Sequence, residues 1–171
     1  GNSDTVTNTS SSTVLDISGT SASISGTGTT ITLEGGSSAT LFGSSLHVSA
    51  SKGATVTLAA SSSTLSSSDT IAATISGNQD AVTLADGSTI TETGTNETVK
   101  LARGGILLQQ FASATITGAN DRISQGTGTT ATINGVSDIV DIFGAGNITT
   151  VGGATVTLEA GSSETLHGNN N

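Results

Sequence analysis

The sequence predicts an all-β fold, a parallel β-helix (β-solenoid) of about seven coils of about 25 residues, with three short strands in each coil. Residues 53–58 return letter for letter as residues 153–158, and repetition of this kind is typical of stacked structural units. Gly, Ser and Thr together make up 82 of the 171 residues. The apolar residues at the centres of T-V-T-L-like segments recur at intervals of 24 to 26 positions: Val6, Ile31, Val56, Val82, Ile106, Ala131 and Val156.

The second repeat shows the elements that we expect in each coil. Residues 30–33 alternate polar and apolar side chains, which indicates a strand with one buried face. Residues 39–42 and 46–50 are predicted as the second and third strands, separated by turns rich in Gly and Ser. Because equivalent residues of stacked coils lie about 4.8 Å apart, like side chains should form rows along the axis. The three phenylalanines are expected to fill the core, with two of them at equivalent coil positions: Phe42 and Phe143, with Phe111 elsewhere.

The seven repeats predict one domain over residues 1–171, and we expect it to be part of a longer repeat array. A tandem of immunoglobulin-like sandwiches is the competing fold. It explains a repeat after about 100 residues, the length of one such domain, but not the interval of 24 to 26 positions between the apolar residues. A disordered linker is disfavoured because Val, Ile and Leu recur regularly and only 10% of the residues are charged. No helix is expected, since Val, Thr, Ser and Gly are weak helix formers.

Charge and composition narrow the classes of partner. The net charge is −9 with only four Lys and Arg residues, which argues against binding to nucleic acid or to an anionic membrane surface. No apolar run approaches the length of a membrane span. The absence of Cys excludes disulfides and thiolate metal sites.

Segments of the form G-[AT]-T-V-T-L-x-x-G-S-S occupy residues 28–38 and 153–163, with a looser copy at 53–63. In this pattern the chain resembles the β-strand-repeat proteins that bacteria export to their surface. The resemblance implies a secreted or cell-surface location and a structural or adhesive role as a stalk, biofilm-matrix or adhesin element. Open ends and exposed strand edges of a solenoid separately predict adjoining coils of a longer parent chain as partners.

Paired threonines flank the inward-facing residue of several first strands and are expected to face solvent. Such a T-x-T array resembles the ice-binding face of β-solenoid antifreeze proteins, and it leads to an alternative function, binding of ice or a polysaccharide. The array is interrupted where Ala81 and Gly105 take the same position. A plain solvated β-face is the other interpretation. The candidate ligand-binding residues are Thr30, Thr32, Thr55, Thr57, Thr130, Thr132, Thr155 and Thr157.

Three turns share a G-x-x-D pattern that ends at Asp4, Asp80 and Asp121. The pattern resembles that of calcium-binding exported repeats, which makes these residues weak calcium candidates. The doubled Gly of those repeats is missing, and one Asp per turn does not supply the six to eight oxygens that Ca²⁺ takes. We therefore expect Asp side chains that tie the turns by hydrogen bonds to the backbone, and no cofactor.

A carbohydrate-active enzyme is the weaker alternative, since charges concentrate in one region. A paired-carboxylate site needs two groups roughly 5–10 Å apart. We interpret these residues instead as solvated charges that discourage aggregation, and we expect no catalytic activity. Asp138 and Asp141, three positions apart, are expected to face opposite sides of a strand. The residues of the charged region are Asp86, Glu92, Glu97, Lys100 and Arg103.

Overall fold

A computed structural model describes residues 3–7, 14–17 and 21–168 of the chain. These residues form a parallel β-solenoid of about nine turns, without a helix in the described ranges. Twenty strands alternate between two ten-stranded sheets, which we call sheet A and sheet B. Every strand pairs in parallel with the strand of the same sheet one coil away, which confirms the predicted fold class and excludes antiparallel immunoglobulin-like sheets.

The odd-numbered strands form sheet A: β1 (Ser3–Thr7), β3 (Ser21–Thr27), β5 (Ser38–Ser44), β7 (Thr55–Ser61), β9 (Ala72–Ile75), β11 (Thr89–Glu92), β13 (Gly105–Leu108), β15 (Arg122–Gln125), β17 (Ile139–Ile142) and β19 (Thr155–Leu158). The even-numbered strands form sheet B: β2 (Val14–Ile17), β4 (Thr30–Leu33), β6 (His47–Ala50), β8 (Thr64–Ser66), β10 (Ala81–Thr83), β12 (Glu97–Lys100), β14 (Ser113–Ala119), β16 (Thr130–Val136), β18 (Asn147–Val151) and β20 (Glu164–His167).

The prediction of a three-stranded coil as long as the apolar repeat is wrong. One coil holds one strand of each sheet, and paired residues of successive coils are 16 to 18 positions apart: Ser38 pairs with Thr55, and Thr55 pairs with Ala72. One apolar repeat therefore spans about one and a half turns. The apolar residues that define the repeat alternate between the sheets, with Val56 on β7 and Val82 on β10.

The identity of residues 53–58 and 153–158 has the same origin. The register of sheet A leads from Thr55 on β7 to Thr155 on β19 in six steps of one coil each, so the two copies lie in one sheet. The three strands predicted in the second repeat do exist, as β4, β5 and β6. They belong to sheets B, A and B rather than to one coil. Ten strands spaced about 4.8 Å apart give each sheet a length of about 43 Å.

Aliphatic side chains fill the space between the two sheets. In sheet A one core row runs through Ile24, Leu41, Leu58 and Ile75, which pair in register along β3, β5, β7 and β9 and are fully buried. Each such side chain contributes roughly 1.5–3 kcal/mol through removal of apolar surface from water. The core is therefore a continuous set of rows, and no described coil between Ile24 and Ile142 lacks them.

The phenylalanines do not fill this core. Phe42 and Phe143 follow Leu41 and Ile142 and occupy equivalent coil positions, as predicted, but strand alternation turns them outward. Their exposed fractions are 42% and 52%, and that of Phe111 is 66%. The prediction of core filling was therefore wrong.

The corners between the sheets need unusual backbone geometry. A residue with positive φ stands shortly before each strand of sheet B from β4 to β20. In five successive coils it is not glycine: Ser45, Ser62, Gln79, Asn96 and Phe111 have φ between 54° and 62°. Short polar side chains and amides tolerate this left-handed region better than β-branched ones. In these five coils the residue that follows the positive-φ position is buried, and in three of them it is one of the polar residues Ser63, Asp80 and Glu97, which build the site described next.

Candidate functional site

The structure does not bring the eight predicted threonines into one array. Thr30, Thr32, Thr130 and Thr132 lie on sheet B, whereas Thr55, Thr57, Thr155 and Thr157 lie on sheet A. The reason is that one apolar repeat spans about one and a half turns of the solenoid, so each successive copy lies on the other sheet. Copies of the T-x-T pattern appear alternately on opposite faces of the solenoid.

Other threonines do form rows in register. On sheet A, four successive strands place Thr40, Thr57, Thr74 and Thr91 opposite one another, each half-buried on the outer face. We call these four residues the sheet A threonine row. A second row on sheet B contains Thr98, Thr115, Thr132 and Thr150. The signal for both rows is a spacing of 17 or 18 positions, which the longer apolar period conceals.

Side chains at one corner form a ladder of hydrogen bonds that climbs from coil to coil. The amide of Leu46 donates to Oγ of Ser63 at 3.0 Å. The amide of Ser63 donates to Oδ1 of Asp80 at 2.7 Å, and the amide of Asp80 donates to Oε2 of Glu97 at 2.5 Å. Successive acceptors are 17 positions apart. Each coil therefore supplies the acceptor for a backbone N–H group of the coil before it.

The opposite corner carries an equivalent ladder. The amide of Gly104 donates to Oδ1 of Asp121 at 3.0 Å, and the amide of Asp121 donates to Oδ1 of Asp138 at 2.9 Å. Burial raises the pKa of Asp121 to about 6 and also raises the pKa of Asp138. Asp side chains were predicted to bond the backbone of their own turns; the bonds observed here join each side chain to the backbone of the preceding coil instead.

The three calcium candidates lie apart from one another. Asp80 precedes a strand of sheet B and Asp121 precedes a strand of sheet A. Asp4 lies on β1, where its Cα pairs with that of Ala22, and its side chain is outside the described part of the structure. Within the ranges that the structure describes, no group of three or more His, Asp or Glu side chains has an arrangement that could hold a metal ion.

Three buried carboxyl groups lie in the middle coils, and we call Asp80, Glu92 and Glu97 the acidic core cluster. Glu92 takes a core position in sheet A between Ile75 and Leu108 of the neighbouring coils. Its Oε1 accepts a hydrogen bond of 2.6 Å from the amide of Gly94. Burial is the largest cause of raised pKa values in all three groups, to about 6 for Asp80, about 8 for Glu92 and about 7 for Glu97.

Two carboxyl groups of the acidic core cluster, those of Glu92 and Glu97, are close to one another. A Cβ atom built on Gly94 would lie 2.8 Å from Oε1 of Glu97 and 2.9 Å from Oε1 of Glu92, so both carboxyl groups border the same point in the core. One oxygen of each group has no hydrogen-bond partner: Oδ2 of Asp80, Oε2 of Glu92 and Oε1 of Glu97. The interpretation of Glu92 and Glu97 as solvated surface charges was therefore wrong.

A neutral polar cluster occupies the core two coils further along. Oε1 of Gln125 accepts hydrogen bonds of 3.0 Å from the hydroxyls of both Thr129 and Thr149. Asn147 Oδ1 accepts a bond of 2.9 Å from the amide of Thr129, and its Nδ2 donates to the carbonyl of Gly144. Our sequence analysis missed this cluster, because Thr and Gln in a Thr-rich chain carry no signal of burial.

The residues of the carbohydrate-active alternative do not converge on an open groove. Asp86 and Arg103 form an ion pair at an exposed corner. Lys100 is exposed on the outer face of β12, whereas Glu92 and Glu97 are buried. The close carboxyl pair inside the core is out of reach of a polysaccharide, so this geometry gives the enzyme hypothesis no support.

The two aspartates of the β17 region face opposite sides, as predicted. Asp138 is buried and accepts a hydrogen bond from the amide of Asp121. Asp141 lies on the outer face, where it pairs with Arg122 at 2.5 Å. They do not form a carboxyl pair.

Comparison with known proteins gives no family assignment: no protein-family model, curated protein or solved structure matches this chain. In the part of the chain that the structure describes, no helix is long and apolar enough to cross a membrane.

Proposed function

We propose that this chain is a structural segment of a secreted or cell-surface bacterial protein, a stiff β-solenoid that serves as a stalk, biofilm-matrix or adhesin element. The observation that carries the proposal is the double connection between coils. Each coil bonds to the next through two parallel strands and, at several corners, through a side chain that accepts a backbone hydrogen bond. Such a rod transmits load along its axis through many small, repeated contacts.

The surface suits a rod that remains separate from its neighbours along its sides. The outer faces carry mainly Ser and Thr, and the net charge of −9 produces mutual repulsion between parallel rods. Lys52, Lys100, Arg103 and Arg122 are all exposed. Lateral association is therefore disfavoured, whereas contact at the ends avoids the charged and hydroxylated faces.

The last coil offers a surface for such an end contact. Leu158 on β19 is 56% exposed, although Ile142, its partner in register on β17, is fully buried. Val156 is half-buried, whereas its partner Val140 is also fully buried. Strands with unpaired edges and exposed apolar core positions recruit further strands. We propose that an adjoining solenoid coil covers this end in the parent protein.

A concentration series in analytical ultracentrifugation tests the end contact. The chain should associate reversibly at high concentration, and Leu158→Lys should abolish the association because it places a charge in the stacking surface. Ile148→Lys is the matched control, since Ile148 is similarly exposed but lies on the outer face of sheet B. Equal effects of the two substitutions would contradict stacking at the end.

Localisation is tested separately by fractionation of the producing cells. The proposed role requires the protein in the medium or at the cell surface, where a protease added to intact cells reaches it. Recovery only in the cytosolic fraction would contradict the stalk and matrix role, whatever the outcome of the association experiment.

A second candidate is a ligand-binding face toward ice or a polysaccharide. The observation in its favour is the sheet A threonine row, in which four hydroxyls follow one another about 4.8 Å apart. Thermal hysteresis and a glycan array measure the two ligand classes. Binding at this row should be lost in Thr57→Lys and retained in Thr117→Lys, which alters an exposed threonine of sheet B.

A further inference from the structure

We infer that the acidic core cluster makes the middle coils of this solenoid a pH-sensitive device, which is tightly closed in mild acid and opens locally in mildly alkaline solution. The inference concerns Asp80, Glu92 and Glu97 and does not depend on the proposed function. It starts from their burial. The exposed fractions of the three residues are 1%, 0% and 1%, so an ionised carboxylate at any of these positions is removed from water.

The hydrogen bonds of the cluster do not compensate three negative charges. Oδ1 of Asp80 and Oε2 of Glu97 each accept one backbone N–H, and Oε1 of Glu92 accepts one more. The other oxygen of each group is buried without a partner. A protonated carboxyl group leaves fewer acceptor sites unsatisfied than a carboxylate, so the geometry favours the neutral form.

No cation faces the cluster from the described elements around it. The neighbouring strands β8, β9, β10, β13 and β14 contain no titratable residue, and β11 contributes only Glu92. Strand β12 contributes Glu97 and Lys100, whose side chain is exposed on the outer face. The adjacent corners contribute Asp69, Asp86 and Arg103, and Arg103 is exposed and paired with Asp86. Each carboxylate that forms in the cluster therefore meets only like charges.

The chain contains its own comparison for this position. Glu92 and Gln125 occupy the same core row of sheet A, separated by Leu108. Gln125 has the shape of Glu92 but never carries a charge, and the neutral cluster around it supplies two hydroxyl donors. The core row thus tolerates a polar side chain at this site, and what distinguishes the middle coils is that their polar groups ionise.

The sign of the pH dependence follows from the direction of the shifts. Burial raises the pKa of Glu92 to about 8 from an ordinary value of 4.5, and the pKa values of Glu97 and Asp80 are raised to about 7 and about 6. The folded chain thus binds more protons than the unfolded chain between about pH 4 and pH 8. The stabilisation by protonation is complete below about pH 4 and is lost as the pH rises through these folded-state values.

The location of the cluster determines what opens. Asp80 and Glu97 occupy successive steps of the corner ladder, so the burial of their charges and the repulsion between them act on the coils that contain β8, β10 and β12. Repeat proteins open locally because each coil contacts only its neighbours. The middle of the rod therefore loosens while the coils on either side remain closed.

Native-state hydrogen exchange on the wild-type chain tests the device directly. Protection factors, corrected for the intrinsic pH dependence of exchange, are measured at the amides of Ser63, Asp80 and Gly94 between pH 5.5 and pH 9. We expect them to fall about tenfold or more over this range, since one unit of pKa difference corresponds to a factor of ten. Amides in β3 to β5 should change much less, and a parallel change in both regions would overturn the inference.

A matched pair of variants gives the second test. Asp80→Asn/Glu92→Gln/Glu97→Gln removes the three buried titrating groups and keeps acceptor oxygens. Glu34→Gln/Asp69→Asn/Glu159→Gln changes the net charge equally at exposed or half-exposed positions. Wild type and the surface control should lose roughly 5 °C or more in Tm between pH 5 and pH 8.5, and the buried variant should lose clearly less. Equal losses in all three chains would refute the device, and the exchange experiment decides the question if the buried variant does not fold.

Discussion

The main-chain amide of Asp80 donates a hydrogen bond of 2.5 Å to the side chain of Glu97, the residue that occupies the same corner one coil later. Asp80 in turn accepts a bond from Ser63 of the preceding coil. Buried backbone N–H groups are almost always paired, and at these corners a side chain provides the partner. Polar corner residues therefore hold successive coils together, as the strands do.

The corner ladder can be tested at Asp121, away from the acidic core cluster. Asp121→Ala removes the acceptor for the amide of Gly104 and leaves a partly buried donor unpaired. We expect a loss of about 1–3 kcal/mol in the free energy of unfolding. Asp121→Asn retains an acceptor oxygen and should lose less. Urea unfolding at pH 7 measures both variants, and an Asn variant as unstable as the Ala variant would contradict a hydrogen-bonding role.

The core rows predict a sharp contrast between neighbours on one strand. Leu58 is fully buried in sheet A, and Leu58→Ala should cost about 2–5 kcal/mol through lost apolar burial and the cavity that remains. Thr57 on the outer face is the matched control, and Thr57→Ala should change the free energy of unfolding by only about 0.5 kcal/mol. Equal costs, measured by urea unfolding, would show that the direction of the side chains on β7 is wrong.

Two glycines are expected to respond differently to the same substitution. At Gly94 an added Cβ would overlap the carbonyl oxygen of Gly77 and lie 2.8 Å and 2.9 Å from the carboxyl oxygens of Glu97 and Glu92. At Gly36 the space is open and only the positive φ of 75° disfavours alanine. We expect Gly36→Ala to cost about 1–2 kcal/mol. Gly94→Ala should cost clearly more, and thermal or urea unfolding that ranks the two the other way would contradict the tight packing of the coils at Gly94.

The ion pair between Asp86 and Arg103 should contribute little to stability. Both side chains are largely exposed, at 51% and 71%, and exposed pairs are typically worth about 0–1 kcal/mol. Asp86→Asn should therefore shift the urea midpoint only slightly, and the shift should vanish in high salt. A large shift that persists at high salt would show that this corner has a structural role beyond the surface pair.

Local patterns were sufficient to predict the fold class and many strands. The alternation in residues 30–33 corresponds to β4, the segment at 39–42 lies within β5, and the segment at 46–50 contains β6. The coil size was not predictable from the apolar repeat, because a T-V-T-L segment has the same pattern whether it lies on sheet A or on sheet B. A repeat of one and a half turns and a repeat of one turn therefore look alike in sequence.

The acidic core cluster was missed for a related reason. Glu92 follows Thr91 in a strand that reads as alternating, so its inward direction is implied by the pattern. A charged residue at an inward position was nevertheless interpreted as solvated, because charged side chains are rarely buried. The spacing of 17 positions between Ser63, Asp80 and Glu97 carries the signal, and it becomes visible only once the coil length is known.

The half-turn in the apolar period limits how such a sequence grows by duplication. Insertion of one copy of the repeat rotates all following coils by about half a turn about the axis. Side chains that follow the insertion then face the opposite side of the solenoid. Insertion of two copies adds about three whole windings and restores the original orientation. Homologous proteins that differ in length but keep one functional surface should therefore differ by an even number of repeats.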